Sequence, residues 1–318
     1  MITGLPERIE EAACRIYSIN RRTPLDFSPY FSRESGAKVH FKLESLQYTG
    51  SFKLRGVTNK LLAMSEAERA KGCVTASTGN HGAATAFAMK RLGVRGEILV
   101  PEGANASKLE SIRLLGCEPR FQGRESGETE QMARRYAAEK GLTYISPYND
   151  IDVLAGQGTV GHEILEDLPE VHAVFITVGG GGLIGGIGAW IKSQAPETKI
   201  IGCLPENSPV MVKSIEAGRV VDCECKPTLS DGSAGNMDHD SITFDLCRDV
   251  VDEWLLLSEA EIANAMHLYV QKEHMTLEGS AGVALAGFLK SAGRWRNQDI
   301  VVVICGRNID SATLKSIL

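Results

Sequence analysis

The run 173–191 constrains this chain more than any other segment. It has nineteen residues without a charge, seven of them glycine, and four of those are consecutive at 179–182. A stretch of that length is close to what a helix needs to cross a bilayer. The glycines forbid it, because each costs about 1 kcal/mol relative to alanine inside a helix. The segment therefore reads as a buried strand over 173–178, a glycine turn, and a helix over 183–193. A strand that is apolar throughout needs cover on both faces, which a parallel sheet between helices provides.

The same alternation runs along the chain. Strands are expected at 39–43, 73–76, 97–100, 143–145, 199–204 and 300–305. Helices are expected at 53–69, 82–92, 108–115, 126–140, 156–165, 258–273 and 282–291. Repeated β–α units imply an α/β protein with parallel sheets flanked by helices. There is no internal repeat and no low-complexity linker. The expected organisation is a smaller lobe over 50–149 inserted into a larger one made of 1–49 and 150–318, with the ligand in the cleft at the carboxyl ends of the strands.

Composition narrows the function. A net charge of -6 gives no basic footprint for nucleic acid. The eight cysteines are scattered without a CxxC pair, and Cys223 and Cys225 lack a second ligand pair, so no metal site is expected. The first 21 residues are charged, without the apolar core of a secretion signal. Reduced thiols in a cytoplasmic protein, away from membranes, are the expectation.

Three strand–helix junctions carry chemistry. In 41–57 an apolar strand runs into Thr49-Gly50-Ser51, and Lys53 opens a helical pattern. A helix N-terminus disfavours a cation and so lowers an amine's pKa, which suits an imine-forming lysine. A solvated surface lysine is the ordinary explanation for a lone lysine, but two further anion sites stand downstream. At Gly179-Gly180-Gly181-Gly182-Leu183, backbone N–H groups at a helix start can close on a phosphate. Gly180, Gly182 and Gly185 also fit the dinucleotide fingerprint, with Glu206 placed 21 residues beyond, so a nicotinamide-dependent oxidoreductase is a competing reading. At Ser77-Thr78-Gly79-Asn80-His81, small polar residues either cap the next helix or offer donors to a carboxylate. Cys305 ends the last apolar strand; there it is either a buried, inert thiol or a group aimed into the cleft.

Taken together, these segments resemble the serine/threonine dehydratase family, pyridoxal-phosphate enzymes of fold type II (tryptophan synthase β-like) that include serine racemase. The resemblance runs over Arg22-Thr23-Pro24-Leu25, Lys42-Leu43-Glu44, Gly50-Ser51-Phe52-Lys53-Leu54-Arg55-Gly56, the 77–82 and 179–183 segments, Thr276-Leu277-Glu278-Gly279-Ser280-Ala281-Gly282 and the strand ending at Cys305. It implies a two-lobed fold with pyridoxal 5'-phosphate in the interlobe cleft, joined to Lys53 with Phe52 against the ring. It further implies that Asn80 meets the ring's phenolic oxygen, Gly179 to Leu183 hold the phosphate, Cys305 faces the pyridine nitrogen, and Glu278 belongs to the cofactor site. Ser77, Thr78, Gly79, Asn80 and His81 would take the substrate carboxylate; His81 is given no catalytic part. The implied reaction is β-elimination from L-serine or L-threonine to a 2-oxo acid and ammonia, with Lys53 moving the Cα proton. A small-molecule substrate and a homodimer or homotetramer are expected, without a regulatory domain.

Three departures leave alternatives. Thr78 stands where racemases carry a serine acid, so Thr78 is a candidate catalytic residue and a racemase remains open. Pro227 replaces the glutamate of a divalent-cation segment, though Asp231 is retained. The Cys305-Gly306-Arg307-Asn308 ending leans toward ectoine-utilisation (hydroxyectoine-type) dehydratases.

Overall fold

The computed structural model describes residues 2–104 and 106–318, with the backbone alone at 106–108. Ten strands appear in chain order: β1 Leu25–Phe27, β2 Lys38–Lys42, β3 Cys73–Ala76, β4 Gly96–Val100, β5 Arg120–Phe121, β6 Thr143–Tyr144, β7 Ala173–Thr177, β8 Lys199–Pro205, β9 Glu253–Leu257 and β10 Asp299–Val303. They form two sheets. One has the order β1-β2-β10-β7-β8-β9 and the other β5-β4-β3-β6.

Every neighbouring pair is parallel except β1, which runs antiparallel to β2 with Leu25 opposite Lys42. That edge strand is not among the strands expected from sequence. The short link between β1 and β2 holds only the helix Pro29–Ser35, started by the Ser28 hydroxyl on Phe31 N–H and stopped by Gly36.

β7 is buried at all five positions, as its apolar sequence requires. Its neighbours Ile300, Val301 and Val302 on β10 and Ile200 and Ile201 on β8 lie in the same core, which also holds Phe41, Phe175 and Phe288. A second core, with Leu54, Val57, Leu61, Ile98 and Ile112, packs around the four-stranded sheet. Each such side chain contributes about 1.5–3 kcal/mol on burial.

The long helix expected over 53–69 is two helices, Lys53–Ala63 and Glu66–Lys71. Ser65 and Glu68 form a capping box that starts the second. The helix expected from 156 begins earlier, at Ile151, because Asp150 caps the Asp152 and Val153 amides. The charged N-terminal segment holds a helix, Leu5–Ile16, whose Leu5, Ile9, Ala12 and Ile16 form one buried stripe. No helix among the described residues is long and apolar enough to cross a membrane. The run 173–191 divides into β7, a glycine turn and the helix Gly182–Gln194.

Candidate active site

The carboxyl ends of β3 and β6 meet those of β7 and β10 across a cleft of about 320 Å³. A wider depression of about 780 Å³ lies at the opposite, amino ends of the large sheet, near His172 and Trp295. Among its described lining residues there is no buried amine and no glycine turn, so the chemistry belongs to the smaller cleft.

Lys53 reaches the cleft because its loop is stitched to the chain beyond β10. Phe52 N–H donates to the Cys305 carbonyl at 3.0 Å, Arg307 N–H to Gly50 O at 2.9 Å, and Asn308 Nδ2 to Thr49 O at 2.9 Å. Gly50 sits at φ 76° with Asn308 Oδ1 only 2.6 Å from where a Cβ would stand, so a side chain here would be strained and would push the Asn308 amide aside. The Lys53 ammonium donates to Pro147 O at 2.9 Å and lies 5.1 Å from the Phe52 ring centre. Burial pushes its pKa down to about 8, against the opposing pull of Cys305, Glu278 and Glu130. Burial, more than the helix field invoked from sequence, accounts for the weakened basicity.

The glycine turn forms the opposite wall. Gly181 sits at φ 82°, and the Gly180 and Gly181 carbonyls are turned into the protein, taken by Thr243 Oγ1 at 2.7 Å and Gly185 N–H at 2.9 Å. The first amides of a helix have no partner within it, so this start is free to bind an anion. A Cβ on Gly180 would stand 2.6 Å from the Tyr148 ring, and one on Gly179 2.8 Å from Ser233 O. The four glycines are thus set by close neighbours as well as by the turn.

The rest of the fingerprint has another cause. A Cβ on Gly185 would meet Leu246 Cδ2 at 2.8 Å, so the third glycine lets the helix Gly182–Gln194 pack against the helix Ile242–Val250. Glu206 is exposed and lies outside the cleft lining, which removes the ribose contact a dinucleotide needs.

Ser77, Thr78, Gly79, Asn80 and His81 all border the cleft. Asn80 is engaged at both ends: its Nδ2 donates to the Glu278 carboxylate at 2.9 and 3.0 Å, and its Oδ1 accepts from Asn308 Nδ2 at 2.6 Å. The His81 ring bonds the Ile145 carbonyl at 3.0 Å, and burial pushes its pKa down to about 3, so it is a neutral part of the fold. Burial pushes the Glu278 carboxyl up to about 7, opposed by the Asn80 amide and Asn308 N–H. Burial also raises the Cys305 thiol, keeping it protonated and neutral.

These residues fit pyridoxal phosphate on their own chemistry. One half-buried amine of weakened basicity, a glycine cradle at a helix start and a neutral thiol share a single cleft. Sequence reasoning missed Tyr148, Ser233 and Glu130, which line the same space. Tyr148 was within reach of it, since it follows the carboxyl end of the expected strand 143–145.

Gly181→Asp tests the cradle. The positive φ disfavours any side chain by about 1–2 kcal/mol, and a Cβ there would also meet Cys247 Sγ at 2.8 Å. The carboxylate adds like-charge repulsion. The pyridoxal phosphate needed to half-saturate the protein is expected to rise at least about tenfold, read by titrating cofactor-free protein. Weakened NAD binding with unchanged pyridoxal phosphate binding would reverse the assignment.

Comparison with known proteins agrees with this chemistry. The family described as "Pyridoxal-phosphate dependent enzyme" matches residues 16–306. The chain is 40% identical to an L-threonine ammonia-lyase of Thermotoga maritima, over 96% of this chain and 75% of that one. Among solved structures it is similar to the processed form of threonine deaminase isoform 2 from Solanum lycopersicum (TM-score 0.94, 33% identity, 100% and 93% of the two chains). It is also similar to maize serine racemase (TM-score 0.91, 31% identity, 98% and 95%).

Proposed function

The chain belongs to the pyridoxal-phosphate dependent enzyme family, and from that premise we propose that it is an ammonia-lyase that dehydrates and deaminates L-threonine or L-serine. The carrying observation is the half-buried Lys53 amine, weakened to a pKa of about 8, in one cleft with the glycine cradle. Pyridoxal phosphate, when bound, supplies an electron sink for charge developing at Cα.

The chain's own residues do the rest. The amides of Gly179 to Leu183 would hold the phosphate, and Phe52 would border the cofactor in the same cleft. Ser77 to Asn80 bind the substrate carboxylate, with Asn80 held in place by Glu278 and Asn308. With a pKa near 8, Lys53 Nζ is a free amine in a far larger fraction at neutral pH than an ordinary lysine, and it takes the Cα proton. Cys305, kept a neutral thiol by burial, would offer the cofactor's ring no acidic partner, which would favour elimination over wider carbanion chemistry.

In this reading 50–149 is the lobe that takes the carboxylate, and 1–49 with 150–318 the lobe that takes the cofactor. The assembly is a homodimer or homotetramer in the cytoplasm, a setting consistent with eight free thiols.

Thr78 supports a second reading, because its hydroxyl borders the same cleft as Lys53 and is a candidate acid for racemisation. Its branched Cβ restricts the rotamer, so elimination is expected to dominate. L-Serine and L-threonine followed by keto-acid assay and chiral chromatography side by side should give 2-oxo acid as the main product. Thr78→Ala should keep at least about a tenth of that rate, an acid–base role being worth roughly 10²–10⁴-fold. D-Amino acid formed faster than 2-oxo acid, and lost in Thr78→Ala, would make the protein a racemase.

A further inference from the structure

Two carboxylates of the cleft lining, Glu130 and Asp231, have no part in the chemistry above, and Glu130 borders the space beside Lys53 and Thr78. Glu130, on the helix Ser126–Lys140, lines the cleft together with Lys53, Ser77, Thr78 and Tyr148. Its side chain is 27% exposed and is held in place. Oε1 accepts from Arg134 Nη2 at 2.9 Å and from the Tyr144 hydroxyl at 3.0 Å, while no hydrogen bond to Oε2 is found among the described residues. Arg134 is itself fixed by Asp238 at 2.7 Å and stacks over the Tyr144 ring at 4.5 Å. Asp238 also accepts from Asn149 Nδ2 at 3.0 Å, and its N–H donates to the Tyr148 hydroxyl at 2.8 Å. A single guanidinium therefore serves two carboxylates, and this bracket ties Glu130 to the loop that carries Tyr148.

The charge of the lining matters next. Lys53 is the only Lys or Arg among the described residues bordering the cleft, while Glu130, Asp231 and Glu278 are all acidic. Glu278 is occupied by Asn80 and Asn308. The glycine cradle and the Ser77–Asn80 segment already account for two anions, a phosphate and the substrate's α-carboxylate. A third anion on the substrate would face Glu130 with no cation left to pair with it.

We propose that Glu130 is the residue that reads the substrate side chain, accepting a hydrogen bond from a hydroxyl or ammonium at its β or γ position and shutting out a carboxylate. The proposal rests on the reading above in one respect: the cleft takes an α-amino acid. A preplaced acceptor costs little to organise, and rejection of the wrong charge comes from leaving two carboxylates face to face.

The test uses cofactor-loaded protein and three amino acids that lack a β leaving group: L-2-aminobutyrate, L-2,4-diaminobutyrate and L-aspartate. Calorimetry gives each dissociation constant without relying on turnover. Wild type should bind diaminobutyrate at least about tenfold tighter than aminobutyrate, and aspartate at least about tenfold weaker. In Glu130→Gln, which keeps an acceptor for Tyr144, the diaminobutyrate advantage should fall below about threefold and the aspartate penalty should shrink; Glu130→Ala should do the same. Wild type binding aspartate as tightly as diaminobutyrate would overturn the proposal. So would an equal shift of all three ligands in both variants, the mark of a merely structural role. In either case the lyase reading stands, because amino acids still bind. A cofactor-loaded protein that binds none of the three overturns both.

Discussion

Lys53→Ala is expected to lose the visible absorbance of the lysine-bound cofactor and the release of 2-oxo acid together. The loss of rate should be at least about 10²–10⁴-fold, the usual cost of removing an acid–base group, and the missing tether to the cofactor adds to it. The expectation rests on position. Among the described residues lining the cleft Lys53 is the only lysine, half-buried and weakened to a pKa of about 8. An ordinary lysine at neutral pH is almost wholly ammonium and would neither bond a carbonyl carbon readily nor accept a proton. Alanine removes the amine while leaving the loop held by the Phe52–Cys305 and Arg307–Gly50 backbone bonds. The fold should survive, and weak non-covalent uptake of pyridoxal phosphate should remain through the glycine cradle. An absorption spectrum after borohydride treatment and a keto-acid assay read both effects; near-normal turnover would show that another lysine does the work.

Arg55→Met is expected to act on stability instead, and strongly. Arg55 is fully buried, with Nε 2.7 Å from Glu44 Oε2 and Nη1 2.6 Å from Glu163 Oε1. Lys42 Nζ, also fully buried, lies 2.6 Å from Glu163 Oε2 and donates to Thr23 O at 2.7 Å. Two cations and two carboxylates thus balance one another with side chains at 0% exposure. Removing the guanidinium leaves Lys42 against both carboxylates, which costs about 3–5 kcal/mol. A melting temperature lowered by roughly 6–20 °C follows, measured by calorimetry on cofactor-free protein.

The wild type should show the matching pH dependence. Burial raises the Glu163 carboxyl, but Arg55 and Lys42 outweigh it and hold the pKa at about 2, below its ordinary 4.5. The folded-state value is depressed, so this contribution is present above pH 4.5 and is lost as pH falls toward 2. A drop in melting temperature below about 2 °C in Arg55→Met, with no change in its acid sensitivity, would show that the cluster does not hold the fold together.

That cluster also gives a corrected meaning to sequence. Arg22-Thr23-Pro24, Lys42-Leu43-Glu44 and Arg55 supported the resemblance without a role of their own. In the fold, Thr23, Lys42, Glu44 and Arg55 meet Glu163 in one buried knot that joins β2, the helix Lys53–Ala63 and the helix Ile151–Asp167. Nothing in their spacing could announce this, because the partners are as much as 140 residues apart.

The sequence by itself determined the α/β class, a helix start directly after the glycine run, and the strand ends that bear Cys305 and the Ser77–His81 segment. These are local matters: apolar runs fix buried strands, glycines fix turns, and a strand followed by a helix start fixes an anion site. Only the tertiary structure decided what surrounds them. It closed the dinucleotide reading by leaving Glu206 exposed and outside the cleft. It traced the weakened Lys53 amine to burial, a quantity no window of residues contains. It turned the His81 ring to Ile145, placed β1 antiparallel at the edge, and brought Glu130 and Tyr148 to the wall of the cleft. Electrostatic environment and side-chain proximity depend on residues far apart in the chain, so they exist only once the two sheets have been packed edge to cleft.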